Sequence, residues 1–282
     1  MSIKLMQFPF FKYVGSGNDF ILFDNRNDHF PISERSTLIK KICHRHYGIG
    51  ADGVILLEDS EIADFRMRIF NADGNEAEMC GNGVRCCTQF LISLGFRLPS
   101  FSIELQHRII KSWVIENENH ITIEIGTIDN IAWNVSIPMQ QTSQAIHCLN
   151  TGVPHAVTFV ENIDSFDIEG WGKKIRHHPH WQPHGTNATI AQCIEKKKIK
   201  IRTFERGVEG ETLACGTGAV AAALCAAHLY QFQSPISVQT KSREEMIVTF
   251  TPSWNEVRLT GPATFVYQGE INLKNLPNLS TE

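Results

Sequence analysis

Two short segments of this 282-residue chain repeat one chemical arrangement, Cys80-Gly81-Asn82-Gly83 and Cys215-Gly216-Thr217-Gly218. Each follows a strand-like run and a polar turn, Arg68-Ile69-Phe70-Asn71-Ala72-Asp73-Gly74 before the first and Arg202-Thr203-Phe204-Glu205-Arg206-Gly207 before the second. Each also leads into a helix-like run. A cysteine just before a helix sits where unpaired backbone N–H groups converge and the helix dipole is positive, which favours its thiolate. Such settings bring a thiol pKa from about 8.5 down to about 3.5–7.5. The same N–H groups can hold a carboxylate, the flanking glycines let backbone donors approach a ligand closely, and Asn82 and Thr217 are residue types that cap helix starts. One such cysteine is more often a buried packing residue. Two in matching contexts point to chemistry: one thiol removes a proton from one face of a carbon and the other returns a proton to the opposite face. Because an α-proton is very weakly acidic, the helix-terminal amides must stabilise the charge that develops on the neighbouring carboxylate. That chemistry calls for no pyridoxal and no metal, so none is expected.

The other polar motifs each have a plain structural reading. Glu205-Arg206 could grip an ammonium and a carboxylate, or form a surface ion pair. Asn18, Asn71, Asn82 and Asn187 stand in turn-like settings where asparagine is common for conformational reasons. Gly48-Ile49-Gly50-Ala51-Asp52-Gly53 matches a dinucleotide fingerprint in form, but a strand-like Val54-Ile55-Leu56-Leu57 follows where a helix is required. His177, His178, His180 and His184 are spaced irregularly around Pro179 and Pro183, which reads as a loop and not a metal site. Cys86, Cys87 and Cys225 fall at core-facing helix positions and read as packing residues, while Cys43, Cys148 and Cys193 stay unassigned. The small-residue run Ala219 to Leu229 reads as a closely packed central helix.

The elements that must position these groups are mixed. Strand-like runs at Phe20–Phe23, Val54–Leu57, Phe65–Phe70, His120–Ile125, Ala156–Val160, Lys198–Phe204, Met246–Phe250 and Glu256–Leu259 alternate with a few helices, giving a mixed α and β chain with many strands. A helix is expected from an N-cap at Ser33 to a stop before Gly48. The echo between the two halves, with ten residues from Phe70 to Cys80 and eleven from Phe204 to Cys215, predicts two related domains. Strand patterning breaks over Ile128 to Asn134, ahead of Ser136-Ile137-Pro138, which fits a boundary there; Gly261-Pro262 to Ile271 would rejoin the first half. The domains are then 1–128 plus 265–282, and 129–264. Forty-two per cent hydrophobic residues are ample for buried cores, and a formal net charge of −4 with interspersed signs leaves no footprint for nucleic acid or an anionic membrane. A small molecule is the expected partner. The first residues lack the marks of a secretory leader, and Ala219 to Tyr230 is too short and too weakly apolar to span a bilayer, so a cytoplasmic protein with reduced cysteines is expected.

Taken together, Gly17-Asn18-Asp19-Phe20, Gly48 to Gly53, Phe70 to Gly74, Met79 to Gly83, Pro154-His155, Gly185-Thr186-Asn187, Glu205-Arg206-Gly207 and Ala214 to Gly218 closely resemble the diaminopimelate epimerase family, in the family's order from residue 12 to about residue 271. The resemblance implies an α/β fold of two pseudo-symmetric domains, each a β-sheet or barrel wrapped around a central helix, with the active site in the interdomain cleft. It implies conversion of LL-diaminopimelate to the meso form, for lysine and peptidoglycan precursor synthesis, by Cys80 and Cys215 without a cofactor, in a homodimer. Asn18, Asn71, Asn187, Glu205 and Arg206 would contact substrate, and Gly81-Asn82 and Gly216-Thr217 would receive the reacting carboxylate. His155 matches a motif histidine near the site. Three departures stand out: Val153 precedes Pro154-His155 where many members have asparagine, Gly53 replaces a glutamine found in some, and Glu209-Gly210-Glu211 looks one residue longer than the family's usual turn before the second cysteine. They predict looser discrimination at the substrate's distal end, with glutamate as a further substrate. The rivals are another racemase of the same fold, a binding protein without chemistry, and a redox switch built on the two thiols.

Overall fold

A computed structural model describes residues 7–31, 35–77, 79–115, 119–137 and 145–277; Ser33 and Pro138 lie outside them. By its internal contacts the chain forms two compact units, Met1–Ile123 with Pro262–Glu282, and Glu124–Gly261.

In the first unit the order is β1 (Gln7–Gly15), β2 (Asn18–Asp24), α1 (Arg35–Cys43), β3 (Gly53–Glu58), β4 (Phe65–Asn71), β5 (Glu76–Ala77), α2 (Gly81–Ser93), β6 (Phe101–Glu104), β7 (Ile109–Val114) and β8 (His120–Glu124). After β9 (Asp129–Val135) the second unit repeats it: β10 (Ile146–Asn150), β11 (Pro154–Phe159), α3 (Ile168–Arg176), β12 (Asn187–Glu195), β13 (Lys198–Glu205), β14 (Gly210–Thr212), α4 (Gly216–Tyr230), β15 (Ile236–Gln239), β16 (Glu245–Phe250) and β17 (Val257–Pro262). The last strand is β18 (Thr264–Asn272).

The strand pairing repeats as well. In the first unit β1–β2, β3–β4, β4–β5, β6–β7 and β7–β8 are antiparallel, whereas β2–β3 and β4–β6 are parallel. In the second, β10–β11, β12–β13, β13–β14, β15–β16 and β16–β17 are antiparallel, and β11–β12 and β13–β15 parallel. Each parallel pair needs a crossover, and a helix supplies it every time: α1, α2, α3 and α4 in turn. The first strand of each unit gains a further antiparallel neighbour, β18 on β1 and β9 on β10.

Two helices sit inside these strands. α2 packs against β1, β2, β3, β4, β7 and β18, and α4 against β10, β11, β12, β13, β15 and β16. The sequence suits that placement. From Gly216 to Ala226, α4 is made of small and apolar residues and every one is buried, so strands can close around it on all sides. The covering strands show the matching alternation, as in β8, where Ile121 and Ile123 are buried and His120, Thr122 and Glu124 are not.

One expectation is corrected. Residues 128–134 do not break the strand pattern, because Asp129–Val135 is a strand whose residues are mostly exposed. It lacks apolar alternation because little of it is buried, and its pairing with β10 is carried by backbone bonds.

The outer helix α3 lies close to β13. A Cβ built on Gly172 would stand 2.4 Å from Cβ of Phe204, near a backbone that cannot swing away. Gly172→Ala is therefore expected to lower stability by about 1–3 kcal/mol, read as a lower urea midpoint with unchanged slope.

Candidate active site

Both cysteines of the repeated segments are helix N-caps. Cys80 precedes α2 with φ −146° and ψ 110°, and Cys215 precedes α4 with φ −116° and ψ 109°. Each carbonyl accepts the first intrahelical bond, from Val84 N–H at 3.0 Å and Ala219 N–H at 2.9 Å. Asn82 and Thr217, expected as capping types, occupy the second helical position; the caps are the cysteines. The glycines after them lie close to neighbouring side chains: a Cβ on Gly83 would lie 2.8 Å from Cδ1 of Ile69, and one on Gly218 3.0 Å from Oγ1 of Thr203.

Around Cys80 the sulfur, half-buried, accepts from Gly83 N–H at 3.4 Å, and the side-chain amide of Asn18 points at it from 3.9 Å. These N–H dipoles favour negative charge on the sulfur. Asn18 opens β2 beside Asp19, whose carboxylate holds Lys12 Nζ at 2.6 Å and Arg45 Nη2 at 2.8 Å. Burial would raise the Asp19 carboxyl, but the bonds from Arg45 and Lys12 outweigh it and bring it down to about 2. Asn82 is buried with its Oδ1 taken by Arg85 Nη2 at 2.8 Å, so its side chain is committed within the protein. Asn71 is exposed at the end of β4 and closes a turn, its N–H on Asn75 O and its C=O accepting from Gly74 N–H, both at 2.9 Å. Gly53 has a packing reason: a Cβ there would meet Phe70 O at 2.5 Å.

Around Cys215 the setting is drier. The residue is 6% exposed, and its thiol lies 3.4 Å from Thr217 Oγ1. Burial pushes that thiol well above its ordinary value, and the Glu205 carboxylate hydrogen-bonded to it pushes the same way, so Cys215 is held as the thiol. Glu205 ends β13, also accepts from Thr212 Oγ1, and is itself raised by burial. Behind Thr217, its Oγ1 meets His155 Nε2 at 2.9 Å, and His155 Nδ1 is 3.4 Å from Thr189 Oγ1, which reaches Thr203 Oγ1 at 3.1 Å. Burial, with Arg206 adding repulsion, lowers His155 to about 3, so it is neutral at physiological pH. Thr151 Oγ1 donates to Thr217 O at 3.1 Å.

Asn187 opens β12 and is committed at both ends, donating to Pro154 O at 3.2 Å and accepting from Arg206 N–H at 2.8 Å. The guanidinium of Arg206 reaches His184 O at 3.4 Å. Val153 follows the Gly152 turn and is partly buried. Glu209 takes Arg176 Nε at 2.9 Å and His177 Nε2 at 3.3 Å, which fixes the long turn after Arg206. Among the described residues no group of three or more His, Cys, Asp or Glu could hold a metal ion. Cys86, Cys87 and Cys225 are buried in α2 and α4, and burial drives the Cys87 thiol up to about 12.

The profile of the diaminopimelate epimerase family matches residues 10–130 and 147–266, both repeated segments included. The chain belongs to this family. The diaminopimelate epimerase of Chlorobaculum tepidum is 40% identical over 266 residues, covering 92% of this chain and 99% of the relative. That of Aquifex aeolicus is 37% identical over 273 residues, covering 93% and 97%. Among solved structures, a Bacillus anthracis phenazine biosynthesis protein of the PhzF family superimposes with TM-score 0.70 at 17% identity, covering 94% of this chain and 99% of that one. A hydroxyproline epimerase from Agrobacterium vitis does so with TM-score 0.70 at 13% identity, covering 94% and 91%. At those identities the likeness shows a shared mixed α/β fold.

Sequence reasoning passed over Ser16, Arg85, Thr189, Thr203 and Thr212. Of these only Arg85 carried a signal, a charged residue directly before two core-facing cysteines.

The contrast between the two sulfurs is measurable. Iodoacetamide at pH 8 should label Cys80 at least about tenfold faster than Cys215, by peptide mass mapping. Glu205→Gln removes the neighbouring negative charge, so the pH at which Cys215 becomes reactive should fall, with Cys80 unaffected.

Proposed function

We propose that the chain converts LL-diaminopimelate to meso-diaminopimelate by proton transfer between two cysteines, without pyridoxal. Epimerisation of diaminopimelate in lysine biosynthesis is the activity that membership of the family carries. The observation that carries the mechanistic reading is the recurrence of one placement, a cysteine N-cap on a buried helix, in two units of identical strand and helix order.

In the forward step Cys80, as thiolate, takes the α-proton and becomes a thiol. The electron pair left on Cα is delocalised onto the carboxylate, held by the first N–H groups of α2 and α4 through Gly81, Asn82, Gly216 and Thr217. Cys215 then gives its S–H proton to the opposite face of Cα and is left as thiolate. Charge and protons balance, and the reverse reaction exchanges the roles. Glu205 supports this division, since its carboxylate keeps the proton on Cys215 until Cα takes it. Thr217 supports it too, because a hydroxyl can accept from the thiol and donate to the thiolate. In this reading Asn18, Asn71, Asn187, Glu205 and Arg206 bind the substrate. The two units act as two domains, one contributing each thiol, and Val153 leaves the distal end of the substrate with one polar contact fewer. The protein works in the cytoplasm. It acts as a homodimer, a reading supported by β18, which leaves Phe265, Val266 and Tyr267 46%, 50% and 42% exposed.

The test follows solvent deuterium into Cα of LL- and meso-diaminopimelate by mass spectrometry. The parent should incorporate label from either isomer, and Cys80→Ser or Cys215→Ser should reduce the rate by about 10²-fold or more. Full-rate incorporation by either variant would remove the two-thiol mechanism. The same assay run on glutamate should show incorporation above a no-enzyme control; parity with that control ends the relaxed-specificity reading. Light scattering at micromolar concentration should give twice the mass of the chain, and the mass of one chain would exclude the homodimer.

A further inference from the structure

We propose that Arg85 is a positioning residue for the first thiol, holding Asn18 against Cys80 and so setting the proton affinity of that sulfur. The proposal rests on the two-thiol reading above and deepens it.

Arg85 stands on the second turn of α2, is 0% exposed and is the largest fully buried side chain among the described residues. A residue that only filled this space would be apolar, because burying a guanidinium is costly unless its donors are used. Two of its nitrogens reach three places. Nη2 donates to Ser16 Oγ at 3.0 Å and to Asn82 Oδ1 at 2.8 Å, and Nε donates to Pro262 O at 3.3 Å. Those acceptors belong to the β1–β2 turn, to the first turn of α2 and to the end of β17. One rigid planar group thus joins three separate pieces of chain.

The β1–β2 turn needs such a tie. Ser16 has φ 57° and Gly17 φ 85°, two consecutive left-handed residues, of which only the glycine adopts that conformation freely. Gly15 ahead of them approaches α2 so closely that a Cβ would stand 3.2 Å from Asn82 O and from Cys86 Sγ. The residue after the turn is Asn18, whose amide faces Cys80 at 3.9 Å. The contacts therefore close a ring: Arg85 to Ser16, along the turn to Asn18, across to Cys80, along the helix start to Asn82, and back to Arg85. Loosening Arg85 lets Asn18 drift from the sulfur and removes a buried positive charge from the thiolate's own helix. Both changes make the thiolate less favourable.

The experiment measures the rate of iodoacetamide labelling of Cys80 and of Cys215 against pH, by peptide mass mapping, in the parent, Ser16→Gly and Arg85→Met. Glycine at 16 removes the hydroxyl while accepting the left-handed backbone, so Ser16→Gly keeps the fold. The labelling midpoint of Cys80 should rise in Ser16→Gly, and by about one pH unit in Arg85→Met, with the Cys215 profile unchanged in both. On diaminopimelate, kcat should fall about tenfold or more in Arg85→Met with KM little changed. A Cys80 profile in Ser16→Gly that superimposes on the parent's overturns the proposal, whether or not Arg85→Met folds. Because the labelling profile needs no turnover, loss of the epimerase reading and loss of this one are separate results.

Discussion

A helix buried along its whole length has only its ends left for polar interaction. α4 is such a helix from Gly216 to Ala226, and α2 is nearly so from Gly81 to Leu91. Strands on every side use up the apolar surface of each, but no strand can satisfy the first N–H groups, which have no acceptor within the helix. With water excluded from the flanks, the dipole of each helix is felt most strongly at that unsatisfied end. Both units put a cysteine there. The packing that stabilises each unit and the field that acts on its sulfur thus have one origin, and the Cys-Gly-x-Gly segment is where they meet. The glycines serve both, since Gly83 and Gly218 admit Ile69 and the Thr189–Thr203 pair closely while their own N–H groups turn to the cysteine sulfurs.

Identical backbone placement does not give identical sulfurs. Cys80 is half-buried and faces N–H donors from Gly83 and Asn18. Cys215 is buried and faces a carboxylate and a hydroxyl as well as the N–H of Gly218. Asn18 offers Cys80 an additional side-chain N–H, whereas Glu205 places a carboxylate beside Cys215 that opposes an anion there. Two groups of the same chemical type thus have unlike surroundings, and the proposed proton transfer uses that difference by assigning one as base and the other as acid. The duplication fixes where the sulfurs sit in their units, and the side chains that differ between the copies decide their states.

Much of this was legible in the residues. The two cysteine segments, the strands at Val54–Leu57, Phe65–Phe70 and Lys198–Phe204, and the helices that follow the cysteines were readable from local pattern, since burial on one face imposes alternation and burial all round imposes small apolar runs. Three things were not. β9 has almost no buried face, so its strand character lies in a backbone ladder with β10 that leaves no mark on composition. The pairing of β1 with β18 joins chain segments far apart in sequence, and periodicity carries no information about which strand lies beside which. The internal hydrogen bonds of Asn82 and Asn187 were hidden for a different reason: an asparagine in a turn looks the same whatever its amide meets, and nothing beside it in sequence names Arg85 in one case or the backbone of Pro154 and Arg206 in the other.

The polar groups behind the two sulfurs are of different kinds, and the difference follows from what each must tolerate. Behind Cys215 lie Thr217, His155, Thr189 and Thr203, neutral groups whose hydroxyls and ring nitrogens can each donate or accept. The low value of His155 keeps its imidazole neutral, so this row adds no cation beside the Glu205–Cys215 pair. Reversing the direction of the hydrogen bonds along that row costs no separation of charge. In the first unit the corresponding helix carries Arg85, a permanent cation whose Nη2 and Nε reach Ser16, Asn82 and Pro262. A permanent cation does not reverse; it biases its surroundings toward an anion at all times. On the proposed two-thiol reading, the helix of the first thiol thus carries a permanent cation, whereas the row behind the second is made of neutral groups that can reverse their hydrogen bonds.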